Sequence, residues 1–438
     1  MTESQITQVR SPRIKLNSWL LPVLVFAAMI TDLIAPYRGW RVLYVGLGGA
    51  LIWGYLWARS LARGMDLTRE MRFGWAQVGD RLVERFTLRN DGWAPGIWVE
   101  VDDQSTLPEY YASRGTGIPG RDSLRWHTEA VCNRRGLFVL GPTHLRTGDP
   151  FGLYSVALTY PSALPLLVLP PIVPLPDIQI SPGGRSGDGR PRPNTIDRTV
   201  SVSTVREYAP GDSRRWIHWR TTARRDDLYV RLFDGTPSGD WWILLDMDAD
   251  VQLGEEEDAT DEHGIILAAS LADQGIRLRH SVGLAAHSDE LVWLPPEQGE
   301  GRRWEILRSL ALISRGKRPL AEVISRLQPS LSQHTSIVII TPSTSTDWVE
   351  SLVPLLRRGA VPTILLLDPA SFGGAGDMAQ VESALMGLNV AHYRITKDIL
   401  DRPEIRPGRQ GRWGWRVLGT GRAVPSHRMV DMPWRSLT

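Results

Sequence analysis

Cysteine is nearly absent: Cys132 stands alone in 438 residues. A lone thiol excludes a disulfide framework and a multi-cysteine metal site, and it fits a reducing compartment. A surplus of charge is missing too. Fifty lysines and arginines face 48 aspartates and glutamates, a formal net charge of +2. That balance argues against a dedicated nucleic-acid binder, whose domain is strongly basic. The signatures of common active sites are also lacking. No carboxylate pair stands out, and there is no G-x-S-x-G elbow, P-loop or Cys/His cluster. The glycines of "SFGGAG" are followed by no lysine, so they do not cradle a phosphate. Without a catalytic constellation, the chain is not expected to be an enzyme.

What the chain does have is length, apolar runs and tryptophan. Its 438 residues suit about two or three domains, and a 42% hydrophobic content can bury a real core. "LNSWLLPVLVFAAMITDLIAP" (Leu16 to Pro36) and "VLYVGLGGALIWGYLWA" (Val42 to Ala58) are apolar almost throughout. A bilayer core takes about 20 such residues, with a lower limit near 17. Neither run has the polar face of a helix in a soluble protein. Trp19, Tyr37, Trp40, Tyr55 and Trp57 lie near the ends, where amphipathic rings favour the interface. The short link "YRGWR" predicts a tight transmembrane hairpin. Arg10, Arg13 and Lys15 precede it; Arg59, Arg63, Arg69 and Arg72 follow. Basic flanks stay in the cytoplasm, so a two-helix membrane protein with both termini and its soluble domains cytoplasmic is expected. Asp32 is costly in lipid unless water or Arg38 reaches it.

Beyond the hairpin, "DRLVERFTLRND" and "GIWVEVDD" alternate apolar and polar residues as half-buried strands do. "RRGLFVLGPTHLRTGDPFGLYS" adds two short strands split by Gly141-Pro142. Short strands with regular turns predict a β-sandwich-like domain. "SPGGRSGDGRPRPN" is a polar linker. Then "WWILLDMD", "LRHSVGLAAHS", "TSIVIITPS" and "VPTILLLDP" read as strands. The helical stretches "EDATDEHGIILAASLADQG", "GRRWEILRSLALIS" and "DWVESLVPLLRRG" separate them. That alternation predicts a parallel sheet covered on both faces. Ligands of such sheets bind beyond the carboxyl ends of the strands. The organisation reads as 1–63 tail and hairpin, 64–180 β-domain, 181–204 linker, 205–400 signature stretch and α/β domain, and 401–438 tail.

Two stretches are candidate sites. Asp246, Asp248 and Asp250 follow the first buried strand as "DMDAD". Alternate residues of extended chain point the same way, so three oxygens could converge on magnesium or calcium; a solvated acidic loop is the plainer reading. The second is "VREYAPGDSRRWIHWRTTARRDDLYVRLF" (Val205 to Phe233), which interleaves arginine with tryptophan but keeps carboxylates close by. Guanidinium groups pair with carboxylates and stack on indoles. An exposed phosphate-binding face would lack those acids. Arg206, Glu207, Tyr208, Pro210, Gly211, Asp212, Arg214, His218, Trp219, Arg220 and Arg224 are therefore expected to form a latch between the domains, not a nucleic-acid patch. Asp212 would cap a short helix beginning there. His218, between two tryptophans, reads as a packed residue rather than a base.

The stretch "REYAPGDSRRWIHWRTTARRDDLYVR", with the upstream block "RGLFVLGPTHLRTGDPFGL", resembles the bacterial domain of unknown function 58 family. The resemblance covers roughly Leu43 to Leu400. It implies a von Willebrand factor A-like domain after the signature, and a gene neighbourhood shared with MoxR-type AAA+ ATPases. An A-like metal site would use D-x-S-x-S, a distant threonine and a distant aspartate. Here Asp246 matches the first position, Asp248 and Asp250 replace the serines, "PPEQGEGRRW" offers no threonine, and Pro342 stands where the last aspartate belongs. The implied site is degenerate, and at most weak binding of a divalent cation is expected. The resulting reading is a membrane-anchored interaction scaffold partnering a MoxR-type ATPase and the lipid bilayer. A subunit of a cell-envelope-processing enzyme is the alternative, and nucleic-acid binding a distant third.

Overall fold

A computed structural model describes residues 11–71, 74–175, 178–181, 202–207, 217–225, 227–233, 240–331 and 335–400, together with 415–417, 423–425 and 435–436. The chain forms two compact units, Met1–Pro171 with Leu307–Leu312 and Asp401–Thr438, and Ile172–Ile306 with Ile313–Leu400. The hairpin and the β-domain thus form one unit, not two. The residues just after Pro171 belong to the second, and of the C-terminal stretch Arg435–Ser436 pairs with the strand Met65–Met71 of the first.

The first unit opens with β1 (Ser11–Leu16), α1 (Leu20–Ile34) and α2 (Arg38–Gly64). α1 is shorter than its apolar run because β1 ends on Leu16, Asn17 to Trp19 form the connection, and Pro36 stops the helix before it. Arg38 and Arg41 lie inside α2, so the link is Ala35-Pro36-Tyr37 rather than "YRGWR". At the tip Asp32 pairs with Arg41 at 3.3 Å, not with Arg38, and accepts the Tyr37 N–H. Fifteen residues of α1 reach about 22 Å. α2 is longer, but its last turns bury Gly54, Ala58, Leu61 and Ala62 against the β-domain. No described helix is long and apolar enough to cross a membrane.

The strands that follow are β2 (Met65–Met71), β3 (Trp75–Gln77), β4 (Arg81–Asn90), β5 (Gly96–Asp103), β6 (Arg114–Ile118) and β7 (Asp122–Val131). After them come β8 (Gly136–Leu140), β9 (Thr143–Gly148), β10 (Tyr154–Tyr160) and β11 (Leu164–Leu169). One sheet runs β1-β10-β9-β5-β6, a second β3-β11-β8, and a third places Arg435–Ser436 beside β2, β4 and β7. β4 alternates as its sequence predicts, with Leu82, Glu84, Phe86, Leu88 and Asn90 inward. Leu67, Phe86 and Leu88 from one sheet meet Val101, Leu145 and Leu158 from another in a common core, which Leu61 of α2 joins.

The second unit holds β12 (Val202–Glu207), α3 (Trp219–Arg225), β13 (Tyr229–Phe233), β14 (Trp241–Leu245), α4 (Thr260–Arg277), β15 (Val282–His287) and β16 (Leu291–Glu297). α5 (Glu300–Leu312), α6 (Leu320–Leu327), β17 (Ser336–Thr341), α7 (Asp347–Glu350), α8 (Val353–Arg357), β18 (Val361–Leu367), α9 (Ala379–Gly387) and β19 (Ala391–Ile395) follow, with the last turns of α5, Leu307–Leu312, counted in the first unit. The sheet order is β16-β15-β14-β17-β18-β19. All pairs are parallel except β15 with β16. β16 contains Pro295-Pro296, and proline is tolerated on an edge strand. The predicted helix at "DWVESLVPLLRRG" is split into α7 and α8, because Pro354 has no N–H for the carbonyl of Glu350. One face of the sheet buries Trp242, Leu244, Ile337, Ile339 and Ile364 against α6 and α9 residues such as Ile324 and Val381. On the other, Gly264 of α4 lies against Leu245, Ile340 and Leu367.

Candidate functional site

Strand order reverses between β14 and β17, the switch point where a doubly wound sheet opens a crevice for ligands. Asp246 leaves β14 there, and its N–H bonds Ile340 O at 3.0 Å. Its carboxylate is buried. Oδ2 accepts the Thr341 hydroxyl at 2.6 Å, and Oδ1 accepts the Asp248 N–H at 3.2 Å. Thr341 Oγ1 in turn accepts the Ser343 N–H at 3.0 Å. Burial pushes Asp246 up to about 6, against the lowering effect of the Thr341 and Asp248 hydrogen bonds. Among the described residues no basic side chain pairs with it.

The three aspartates do not converge. The chain leaves extended conformation after Leu245, so the alternation that would align them ends at the first of the three. Asp248 Oδ1 accepts the Asp250 N–H at 3.2 Å, repeating the turn that Asp246 makes with Asp248. Asp246 is buried, Asp248 half-buried and Asp250 exposed. Among the described residues no group of three His, Cys, Asp or Glu could hold a metal ion. The donor set does not fit the cation site that the resemblance implies, and Asp246 and Asp248 act as turn acceptors.

The protein's own chain fills the crevice mouth. Gly316 N–H donates to Met247 O at 2.7 Å, and Ala249 N–H donates to Gly316 O at 2.8 Å. A Cβ on Gly316 would meet the Ser288 backbone at 2.7 Å, so only glycine fits between the loops after β14 and β15. Gln252 Nε2 holds the Asp246 carbonyl at 2.8 Å, and Thr260 holds Gln252 at 2.7 Å. The arrangement ties three loops together.

In the signature stretch, Arg206 and Glu207 lie on β12, in register with Val230 and Tyr229 of β13. Tyr208, Pro210, Gly211, Asp212 and Arg214 lie outside the described residues, as does the helix start assigned to Asp212. The helix begins instead at Trp219, after Ile217 bridges to Val230. His218 caps it. Its Nδ1 accepts the Thr221 N–H at 3.2 Å and lies 2.7 Å from Thr221 Oγ1. A ring nitrogen used as a cap acceptor is not a base poised for substrate. Trp219, Arg220 and Arg224 are exposed.

The densest polar cluster was not foreseen from the sequence. Arg69, read there as a juxtamembrane charge, is buried in the β-domain. Its Nε and Nη2 donate to Glu84 at 3.0 and 2.7 Å, and its Nη1 to Asp103 at 2.9 Å. Thr143 donates to Asp103 at 2.9 Å, Ser105 also donates to Asp103, and the Tyr110 hydroxyl donates to Glu84. Burial works against the Arg69 charge, but the hydrogen bonds and charge of Glu84 outweigh it and hold the guanidinium above its ordinary range. Burial and then Glu84 push the Tyr110 phenol up. The alternation of "DLTREM" was the available signal: Arg69 shares the inward face of β2 with Leu67 and Met71. The upstream block serves the same unit. Asp149 accepts the Phe151 N–H at 2.9 Å, and a Cβ on Gly54 of α2 would lie 3.3 Å from its carboxylate. On the outer face of β2, β4 and β7 a shallow depression of about 440 Å³ carries Glu70, Arg85, Arg89 and Arg125, with Arg85 paired to Glu70 at 3.5 Å.

The family described as "Protein of unknown function DUF58" matches residues 204–376. The chain is similar to uncharacterized protein YeaD of Bacillus subtilis, 25% identical over 342 residues that cover 73% of this chain and 82% of that protein. It is also 25% identical to uncharacterized protein Rv1480 of Mycobacterium tuberculosis, over 37% of this chain and 54% of that protein. A solved structure, the CARDB domain of the PF1109 protein of Pyrococcus furiosus, aligns with a TM-score of 0.18 at 8% identity, over 24% of this chain and 90% of that one. That value is too low to bear on the fold. Across residues 204–376, then, the chain is similar to the DUF58 proteins, whose function is unknown.

Proposed function

We propose that this protein is a membrane-anchored interaction scaffold. The observation that carries the reading is the outward-facing apolar surface of the α1–α2 hairpin: Val23, Phe26, Ile30, Leu33, Val42 and Val45 are exposed, Leu33 to 84%. A contiguous apolar surface of this size is not left to water. Lipid is its natural cover. The hairpin returns the chain to the side it left, because β1 and β2 at its two ends belong to the same unit. Its first arm, α1, reaches about 22 Å, short of a hydrocarbon core of about 30 Å, a mismatch that a thinned bilayer accommodates. Basic flanks at Arg13, Lys15, Arg59 and Arg63 favour the cytoplasmic side for both ends.

The second unit is the interaction module of this scaffold. Its doubly wound sheet with one antiparallel edge strand supports the von Willebrand factor A-like reading. The MoxR-type AAA+ ATPase partner rests on the resemblance of the signature stretch. Adhesion through a metal is not part of the proposal, given the aspartate geometry. Two experiments test it. Alkaline carbonate washing leaves the full chain in the membrane pellet if the hairpin is embedded; release into the supernatant overturns the anchor. Affinity capture of the detergent-solubilised chain brings down an AAA+ ATPase if the partner is right. Salt-sensitive nucleic acid in its place favours the third reading.

A further inference from the structure

We infer that the β-domain itself rests on the bilayer, with a belt of side chains around the hairpin base seated in the phospholipid headgroup layer. The inference rests on the anchor reading and adds a surface to it. The belt is built from separate parts of the chain. Trp53 and Trp57 of α2 meet Trp93 of the β4–β5 loop, with ring centroids 5.4 and 5.5 Å from that of Trp93. Trp57 also donates to Pro95 O at 3.2 Å. On the other side of α2, Tyr55 contacts Tyr154 of β10. The turn carrying Phe151 is tied to the start of α1, where Asn17 bonds Leu153 O at 2.8 Å and Gly152 O at 2.9 Å. Trp98 abuts Gly148, at the beginning of that same turn.

These contacts put Trp53, Trp93, Trp98, Phe151 and the first residue before α1, Trp19, at one level along the hairpin. They remain open: Trp98 is 44% exposed, Phe151 59% and Trp19 74%. Ile97, between Trp93 and Trp98, is 57% exposed. Indole rings with one apolar and one wet side favour the membrane–water boundary. The level also coincides with a change in α2: outward apolar residues precede Trp53, while Ala58, Leu61 and Ala62 beyond it are buried in the β-domain. Lys15 and Arg59, both exposed, flank the belt where phosphate groups would lie. A hairpin alone would let the β-domain swing free; a belt shared by hairpin and β-domain seats both at one depth.

The test uses the full chain in phospholipid vesicles, with Cys132→Ser as background. Single cysteines at Leu24, Ile97, Phe151 and Glu129 carry an environment-sensitive dye. Quenching by headgroup nitroxide lipids is compared with quenching by aqueous iodide. Glu129 sits on β7 opposite Val83, near the start of β4, about 23 Å along that strand from Asn90 and the hairpin base. The expected result is deep burial at Leu24, headgroup quenching several-fold above the Glu129 level at Ile97 and Phe151, and iodide quenching at Glu129. Iodide quenching at Ile97 and Phe151 with Leu24 still deep would overturn the inference and leave the anchor standing. Iodide quenching at Leu24 as well would sink both. Shielding of Ile97 and Phe151 from both quenchers would mean that protein covers the belt, which also overturns the inference.

Discussion

Each unit buries acid, and each does so differently. In the β-domain Glu84 and Asp103 share the Arg69 guanidinium, backed by Tyr110, Ser105 and Thr143. In the α/β unit Asp246 is buried with a hydroxyl and a backbone N–H as partners and no cation among the described residues. A buried charge met by an opposite charge stays ionised; one met only by neutral donors drifts toward its protonated form. The first arrangement ties strands of one core together through charge-paired hydrogen bonds. The second makes a loop hub whose stability depends on pH.

That contrast can be broken, and the largest effect is expected at Arg69. Arg69→Ala leaves two buried carboxylates facing each other, at a cost of about 3–5 kcal/mol. Denaturant unfolding of the full chain in detergent should show it as a collapse of the β-domain transition. A loss under about 1 kcal/mol would mean that water reaches the cluster.

Asp246 comes next. Its folded value is raised from 3.8 to about 6, so the stability it contributes is fully present below about pH 3.8 and is lost as pH rises through about 6. The shift corresponds to about 3 kcal/mol at neutral pH. The parent should therefore lose stability between these values, and Asp246→Asn should flatten that slope. An unchanged slope in the variant would assign the pH dependence elsewhere.

Arg220→Ala and Arg224→Ala sharpen the comparison from the other end. Both side chains are exposed, and removing an exposed charge costs under about 1 kcal/mol. Thermal melting should barely register either one. A large drop would restore the latch that the sequence reading assigned to them. The smallest effect is expected from magnesium or calcium. Neither ion should raise the melting temperature, because Asp246 and Asp248 each accept a backbone N–H and Asp250 is exposed, so the three do not face one another. A clear rise, abolished by Asp246→Asn, would show that a cation takes the place that Arg69 holds in the other unit.

The sequence by itself determined the local elements. β4 and β5 followed from alternation, β14, β17 and β18 from continuous apolar runs, and α4 and α5 from their helical pattern, because each reports a period or a burial that neighbouring residues share. It also marked the apolar hairpin, though the proline and the preceding strand set its true ends. Tertiary structure alone decided three things. Asp246 meets Thr341 only because two strands 95 residues apart in the chain lie side by side. Arg69 reads as one more basic residue after a hairpin until Glu84 and Asp103 close around it from other strands. The belt of Trp53, Trp93 and Phe151 exists only once α2 docks on the β-domain. Each depends on long-range contacts, and no periodicity along a chain encodes which distant side chain will arrive to satisfy a buried charge or extend an apolar surface.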